Sequence, residues 1–146
     1  MWLIAALCVG CCMAAAGQSA ARLATVKRIY VEPFPAKPGA DKLREDLIAE
    51  LHKYHTVSVA ALPGHADAVL SGTGETWIRG YYSLNPRVRE VSGAQAIYGG
   101  YLSVELKGPQ NETLWSYLAT PSRRGPEEIG RNLCGQIARK LVESLK

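Results

Sequence analysis

Ile129, Leu133, Ile137, Leu141 and Leu145 recur every fourth residue at the end of the chain. A stripe of that period suits a helix with one buried face. Cys134, Ala138 and Val142 flank the stripe. Pro126 marks the expected start, with Glu127 and Glu128 in the first turn and Arg139 and Lys140 near the end, all suited to the helix dipole. Such a helix must lie on another apolar surface. Residues 97–106 offer one, because Leu102, Val104 and Leu106 alternate with Tyr101, Ser103 and Glu105 in the two-residue period of a strand covered on one face.

The other elements follow from similar patterns. Residues 25–34 read as a first strand, with Val26, Ile29, Val31 and Phe34 in imperfect alternation, stopped by Pro33, Pro35, Pro38 and Gly39. Asp41 is the expected cap of a helix whose Leu43, Leu47, Ile48, Leu51 and Tyr54 share a face. Residues 56–62 form a second strand, ended by Pro63 and Gly64. Residues 66–82 form a longer one, in which Gly72, Gly74 and Gly80 predict bulges or sharp twist. A loop over 83–93 precedes the strand already described, and a turn at 108–111 leads to a last strand at 113–119. The order is βαββββα. The expected class is α+β, a two-layer sandwich with two amphipathic helices on one face of a mixed, largely antiparallel sheet.

Residues 1–21 carry no charge and read as an export signal. The apolar part is short and rich in Ala, Gly and Cys, unlike a membrane span, and Ala14, Ala15 and Ala16 supply the small residues of a cleavage site. Met1 and Trp2 stand where a signal should carry Lys or Arg. Cys8, Cys11 and Cys12 sit where a bacterial lipoprotein places its acylated cysteine, and Gly10 before Cys11 fits that motif, while Cys8 stands where Leu is usual. Three outcomes stay open: lipidation at Cys11 or Cys12, plain cleavage after Ala16, or a retained anchoring helix. Residues 1–16 are then the signal, 17–24 a small-residue tether, and 25–146 one domain with a single core.

All 17 basic and 13 acidic residues lie beyond position 21, so this domain keeps the net charge of +4. That excess is too mild for a dedicated nucleic-acid surface. Of four cysteines only Cys134 lies in the domain, which leaves packing, without an internal disulfide, to stabilise the fold.

Val31-Glu32-Pro33-Phe34, the helix over 43–51, Ala66-Asp67-Ala68-Val69-Leu70-Ser71-Gly72, Leu102-Ser103-Val104-Glu105-Leu106 leading to Leu114-Trp115-Ser116, and the closing helix together resemble the lipopolysaccharide-assembly lipoprotein (LptE-like) group. The same short signatures are similar to domains of the TolB amino-terminal and CsgG kinds. The resemblance implies a periplasm-facing protein at the outer membrane that engages a β-barrel translocon and touches lipopolysaccharide. It implies no individual lipid-binding residue.

No Gly-x-Ser-x-Gly, His-Glu-x-x-His or Ser-x-x-Lys motif occurs, and the adjacent carboxylates Glu45-Asp46 and Glu127-Glu128 fall on expected helices, where neighbours point about 100° apart. The chain is therefore expected to be no enzyme and to need no cofactor or metal, the remaining alternative being a small metal-dependent or thiol enzyme built on the histidines or Cys134. His52 and His55, with His65 and Asp67 downstream, have the spacing of a metal site but equally that of polar residues ending a helix. Asp67 reads as a turn cap before a strand, and Cys134 as a small buried residue. Gly72-Thr73-Gly74 leads into extended Glu75-Thr76-Trp77-Ile78 and lacks the helix a phosphate loop requires. The candidate binding surface for lipid or a partner protein is Arg79, Tyr81, Tyr82, Arg87 and Arg89, with Arg123 and Arg124 from the last loop. The same tyrosines would otherwise pack on a sheet face and the arginines solvate a hairpin.

Overall fold

The structure, a computed structural model, describes residues 14–83 and 94–146, the first six of them as main chain only. Helix α1 (Ala14–Thr25) leads to strand β1 (Arg28–Val31), helix α2 (Ala40–Leu51), strand β2 (Ser58–Val59), and a short 3-10 turn at Pro63–His65. Strands β3 (Ala68–Tyr82), β4 (Gln95–Lys107) and β5 (Thr113–Ala119) follow, and helix α3 (Ile129–Ser144) ends the fold. The strands form one sheet in the order β2-β1-β3-β4-β5. β1 runs parallel to β2 and β3, while β4 is antiparallel to both β3 and β5. This is the expected βαββββα sandwich with one helix added in front.

The added helix corrects the reading of residues 17–24 as a tether. Leu23 and Val26 are buried in the core, and the Arg22 guanidinium donates to the Glu112 carboxylate at 2.9 Å in the β4–β5 turn. The chain therefore meets the domain through a docked helical turn. Cys8, Cys11 and Cys12 lie outside the described residues. Among those that are described, no helix is long and apolar enough to cross a membrane.

Several other boundaries moved for identifiable reasons. β1 is only four residues long because Val26 belongs to the α1 connection and Phe34 leaves the strand to pack in the core. β2 shrinks to two residues beside so short a neighbour. The cap of α2 is Gly39, left-handed at φ 76°, and Asp41 falls in the first turn instead. α3 begins at Ile129, since Gly125 to Glu128 form a turn in which the Glu128 and Ile129 amides donate to the Gly125 carbonyl. Glu127 and Glu128 thus precede the helix.

Gly72 and Gly74 do not produce bulges. They pair regularly with Val104 and Leu102, and the one break in the β3–β4 register lies between Ile78 and Gly80. Their role is clearance: a Cβ at Gly74 would stand 2.8 Å from Leu43 Cδ1 and 2.9 Å from Leu102 Cδ1, and one at Gly72 would stand 3.0 Å from the Phe34 ring. The helix layer can approach β3 only over bare backbone. Leu43, Leu47 and Leu51 from α2, Leu133, Ile137 and Leu141 from α3, and Leu70, Leu102 and Leu106 from the sheet are then almost wholly inaccessible. Cys134 joins them, and its thiol donates to the Leu43 carbonyl at 3.2 Å. Burial, with Asp46 and Glu50 nearby, pushes that thiol far above its ordinary pKa and keeps it protonated.

Asp67 caps as expected. Its Oδ2 accepts the Arg28 amide at 2.8 Å and the Lys27 amide at 3.0 Å, which pins the start of β1 to the start of β3. The Arg28 amide first and the Lys27 amide second hold the Asp67 carboxyl below the ordinary aspartate range.

Gly74→Ala should lower the unfolding free energy by about 1–3 kcal/mol through overpacking. Gly80→Ala, whose new methyl meets nothing within 4 Å, should leave the urea midpoint unchanged or slightly raised. Asp67→Ala should cost about 1 kcal/mol at neutral pH. Because the folded state depresses this pKa, the difference from wild type is present above the ordinary value of 3.8 and vanishes as pH falls through the lower folded-state value. Urea titrations at stepped pH measure both.

Candidate functional site

The paired strands β3 and β4 outrun the helices. The start of α3 reaches the row of Thr76 and Gly100, where Ile129 Cδ1 lies 3.4 Å from the position of a Gly100 Cβ. Beyond it the hairpin continues through Ile78 opposite Tyr98 to Tyr82 opposite Gln95, forming a two-stranded arm. A Cβ at Gly80 would meet open space, so among the described residues no element covers the arm at that point. Trp77, Ile78, Tyr81 and Tyr82 are 43 to 59% exposed. Four large apolar or aromatic side chains are thus exposed on one short arm, Trp77 and Ile78 on its opposite faces, and exposure of this kind marks binding surfaces.

Arg79 sits in the register break, exposed and without a residue opposite. A bulge of this kind re-aims the side chains around it. Tyr81 and Tyr82 follow it toward the tip, while Arg87 and Arg89 lie outside the described residues.

The loop between β5 and α3 comes up beside the arm and is held firmly. Asn132 Oδ1 accepts the Ser122 amide at 2.9 Å, the Ser122 hydroxyl at 3.1 Å and the Gln136 side-chain amide at 3.0 Å. Further along the loop, the Tyr98 amide of β4 donates to the Arg124 carbonyl at 2.9 Å. Fixed at both points, the loop sends its two arginines to different clefts. Arg124 lines an open cleft of about 370 Å³ with Tyr82, Gln95, Ala96, Ile97, Gly125 and Glu128. Arg123 turns to the other side, 3.5 Å from Glu128, into a cleft shared with Arg131 and Asn132.

Of the residues expected to form a binding surface, the structure therefore brings Tyr82 and Arg124 together, sets Tyr81 and Arg79 on the same arm, and directs Arg123 elsewhere. Trp77 and Ile78 are additions. Their exposure follows from the overhang, which depends on where α3 begins and which local sequence does not encode.

Among the described residues, the face of the sheet away from α2 and α3 carries mainly partly or fully exposed side chains. Trp77, Glu75, Thr73 and Ser71 of β3 lie opposite Gly99, Tyr101, Ser103 and Glu105 of β4, and Leu118 and Ser116 of β5 complete the last two rows. Lys37 reaches over this face, donating to the Tyr101 hydroxyl at 2.9 Å and lying 3.8 Å from Glu75. The Tyr101 hydroxyl, and then Glu75, hold that ammonium above its ordinary pKa.

At the far end of the sheet, a cleft of about 500 Å³ is lined by Arg22, Asp67, Gln110, Glu112 and Leu114, among others. Its charged groups are already engaged, Arg22 with Glu112 and Asp67 with main-chain amides. His52, His55 and His65 do not converge: among the described residues no three His, Cys, Asp or Glu side chains lie close enough to hold a metal ion.

No protein-family model and no curated protein matches the chain in sequence. Solved structures do match in fold. A dodecamer of a PelC point variant from Paraburkholderia phytofirmans is similar with a TM-score of 0.52 at 19% identity, over 79% of this chain and 85% of that one. The chain shares the PelC fold. A second PelC dodecamer crystal form from the same organism aligns with a TM-score of 0.49 at 22% identity, over 82% and 88% of the two chains. A minor lipoprotein from Acinetobacter baumannii aligns with a TM-score of 0.42 at 13% identity, over 82% and 90%.

Proposed function

We propose that this chain is an exported accessory protein of the cell envelope that works by binding and catalyses no reaction, and that the β3–β4 arm with Arg124 is its docking surface. The observation that carries this reading is the arm itself: Ile78, Tyr81 and Tyr82 stand exposed beside Arg79 and an Arg124 whose loop is rigidly held. Trp, Tyr and Arg are the residues that dominate protein interfaces, since they contribute large contact area and directed hydrogen bonds at low entropic cost. The uncharged leader at residues 1–21 supports an envelope setting.

The partner in this reading is an outer-membrane β-barrel protein, lipopolysaccharide, or both. The Arg124 guanidinium suits a phosphate or carboxylate, and Tyr82, Ala96 and Ile97 in the same cleft suit the apolar part of a partner. The leader would either carry an acyl chain at Cys11 or Cys12 or be removed near Gly17. A second reading, a general periplasmic interaction module similar to TolB-like or CsgG-like domains, uses the same arm for soluble proteins only.

The test is affinity capture of the tagged full-length protein from solubilised envelopes of its host, with mass spectrometry of the co-purifying proteins and of the bait's amino-terminal peptide. Wild type should bring down an outer-membrane barrel. The Tyr81→Ala, Tyr82→Ala, Arg124→Glu variant should lose it by about tenfold or more, with unfolding free energy changed by under about 0.5 kcal/mol per site. Undiminished capture by the variant contradicts the arm. Capture of soluble periplasmic proteins alone selects the second reading.

A further inference from the structure

The open sheet face has a composition that neither a membrane nor a typical protein core would select. Its charges cancel in adjacent pairs, Lys37 with Glu75 at 3.8 Å and Lys107 with Glu105 at 3.8 Å. The hydroxyls of Thr73, Ser103 and Ser116 have no partner among the described residues, and they stand on adjacent strands about 4.8 Å apart. The large exposed apolar side chains of this face, Trp77 and Leu118, are separated by these hydroxyl rows instead of forming one patch.

Trp77 is seated over Gly99 in a specific way. A Cβ at Gly99, directly across the ladder, would stand 2.9 Å from two atoms of the indole, so the ring occupies the space that any other side chain there would take. Glycine under an aromatic residue seats the ring on the sheet, and 43% of Trp77 remains exposed. Tyr101 continues the line along β4, with its hydroxyl fixed by Lys37. The result is a preorganised aromatic platform followed by a row of hydroxyls and carboxylates.

We propose that this face binds a neutral oligosaccharide laid along β4, with one sugar ring stacked on Trp77 and the next rings hydrogen-bonded to Thr73, Ser103, Glu75 and Glu105. A pyranose presents an apolar C–H face and a rim of hydroxyls, which matches a flat indole beside fixed donors and acceptors. The balanced charge favours an uncharged glycan over an anionic or cationic one. The weak apolar content gives little support for an apolar protein or acyl chain. Tyr81, Tyr82 and Arg124 take no part, so this surface and the docking arm can fail independently.

The probes are cellohexaose, chitohexaose and maltohexaose, titrated into the folded protein with tryptophan fluorescence and calorimetry as readouts. At least one should bind with a Kd on the order of 0.1–1 mM, as expected of a shallow open site. Trp77→Ala should weaken it by about tenfold or more, and Thr73→Val with Ser103→Ala should weaken it too. Gly99→Ala, which keeps the indole but removes its seat, should also weaken binding, and thermal unfolding of each variant reports its folding. Tyr82→Ala should leave the affinity unchanged. Absence of binding by all three sugars up to about 10 mM, binding that survives Trp77→Ala in a folded variant, or a preference for charged hexasaccharides would each overturn the proposal.

Discussion

The closeness of Phe34 and Leu43 to bare backbone at Gly72 and Gly74 determines how this molecule is built. α2, and Phe34 in the segment before it, can lie on the sheet only because β3 offers no side chain at those two positions of its core face. With α2 seated, Leu43, Leu47 and Leu51 meet Leu133, Ile137 and Leu141 of α3, and one apolar layer closes over the sheet. All buried side-chain nitrogen and oxygen atoms among the described residues have hydrogen-bond partners, so the layer carries no unpaired polar side chain to destabilise it. With Cys134 free and buried, the domain is held by this packing and by clamps such as Asp67 and Asn132 at its edges.

That layer is shorter than the strands beneath it, and function in this account follows from the mismatch. β3 runs for 15 residues while α2 spans 12, and a helix rises less than half as far per residue as a strand. A hairpin arm must therefore overhang, exposing Trp77, Ile78, Tyr81 and Tyr82. Among the described residues, the same two-layer design leaves side chains of the second sheet face accessible. The proposed docking arm and the proposed glycan face are both consequences of building with two layers and long strands.

The helices and the antiparallel strands were legible because each carries its own period. The four-residue stripe from Ile129 to Leu145 and the alternation from Tyr101 to Leu106 need no tertiary context to be read. Asp67 and Cys134 were legible from their immediate neighbours. Where geometry is set across the fold, the sequence pattern misled. Gly72 and Gly74 look like bulge formers, but they make room for Phe34 and for Leu43 of α2, both far earlier in the chain. Gly17 to Ala24 have the small-residue composition of a linker, but Leu23 docks in the core and Arg22 on Glu112, far along the sequence. Arg123 and Arg124 are neighbours in sequence, and only the Asn132 clamp and the Tyr98 amide decide that they face different clefts. Trp77 and Gly99 carry no signal alone and become a platform only through the β3–β4 register.

Site-specific photo-cross-linking in living host cells tests most directly whether the overhanging arm is the working end. A photoreactive residue replaces Tyr81 in one variant and Lys53, on the exposed side after α2, in the other. The account predicts a discrete adduct between position 81 and an outer-membrane β-barrel protein, and none at position 53. An equal yield of adducts from both positions, or an arm that cross-links to no envelope protein, would contradict it.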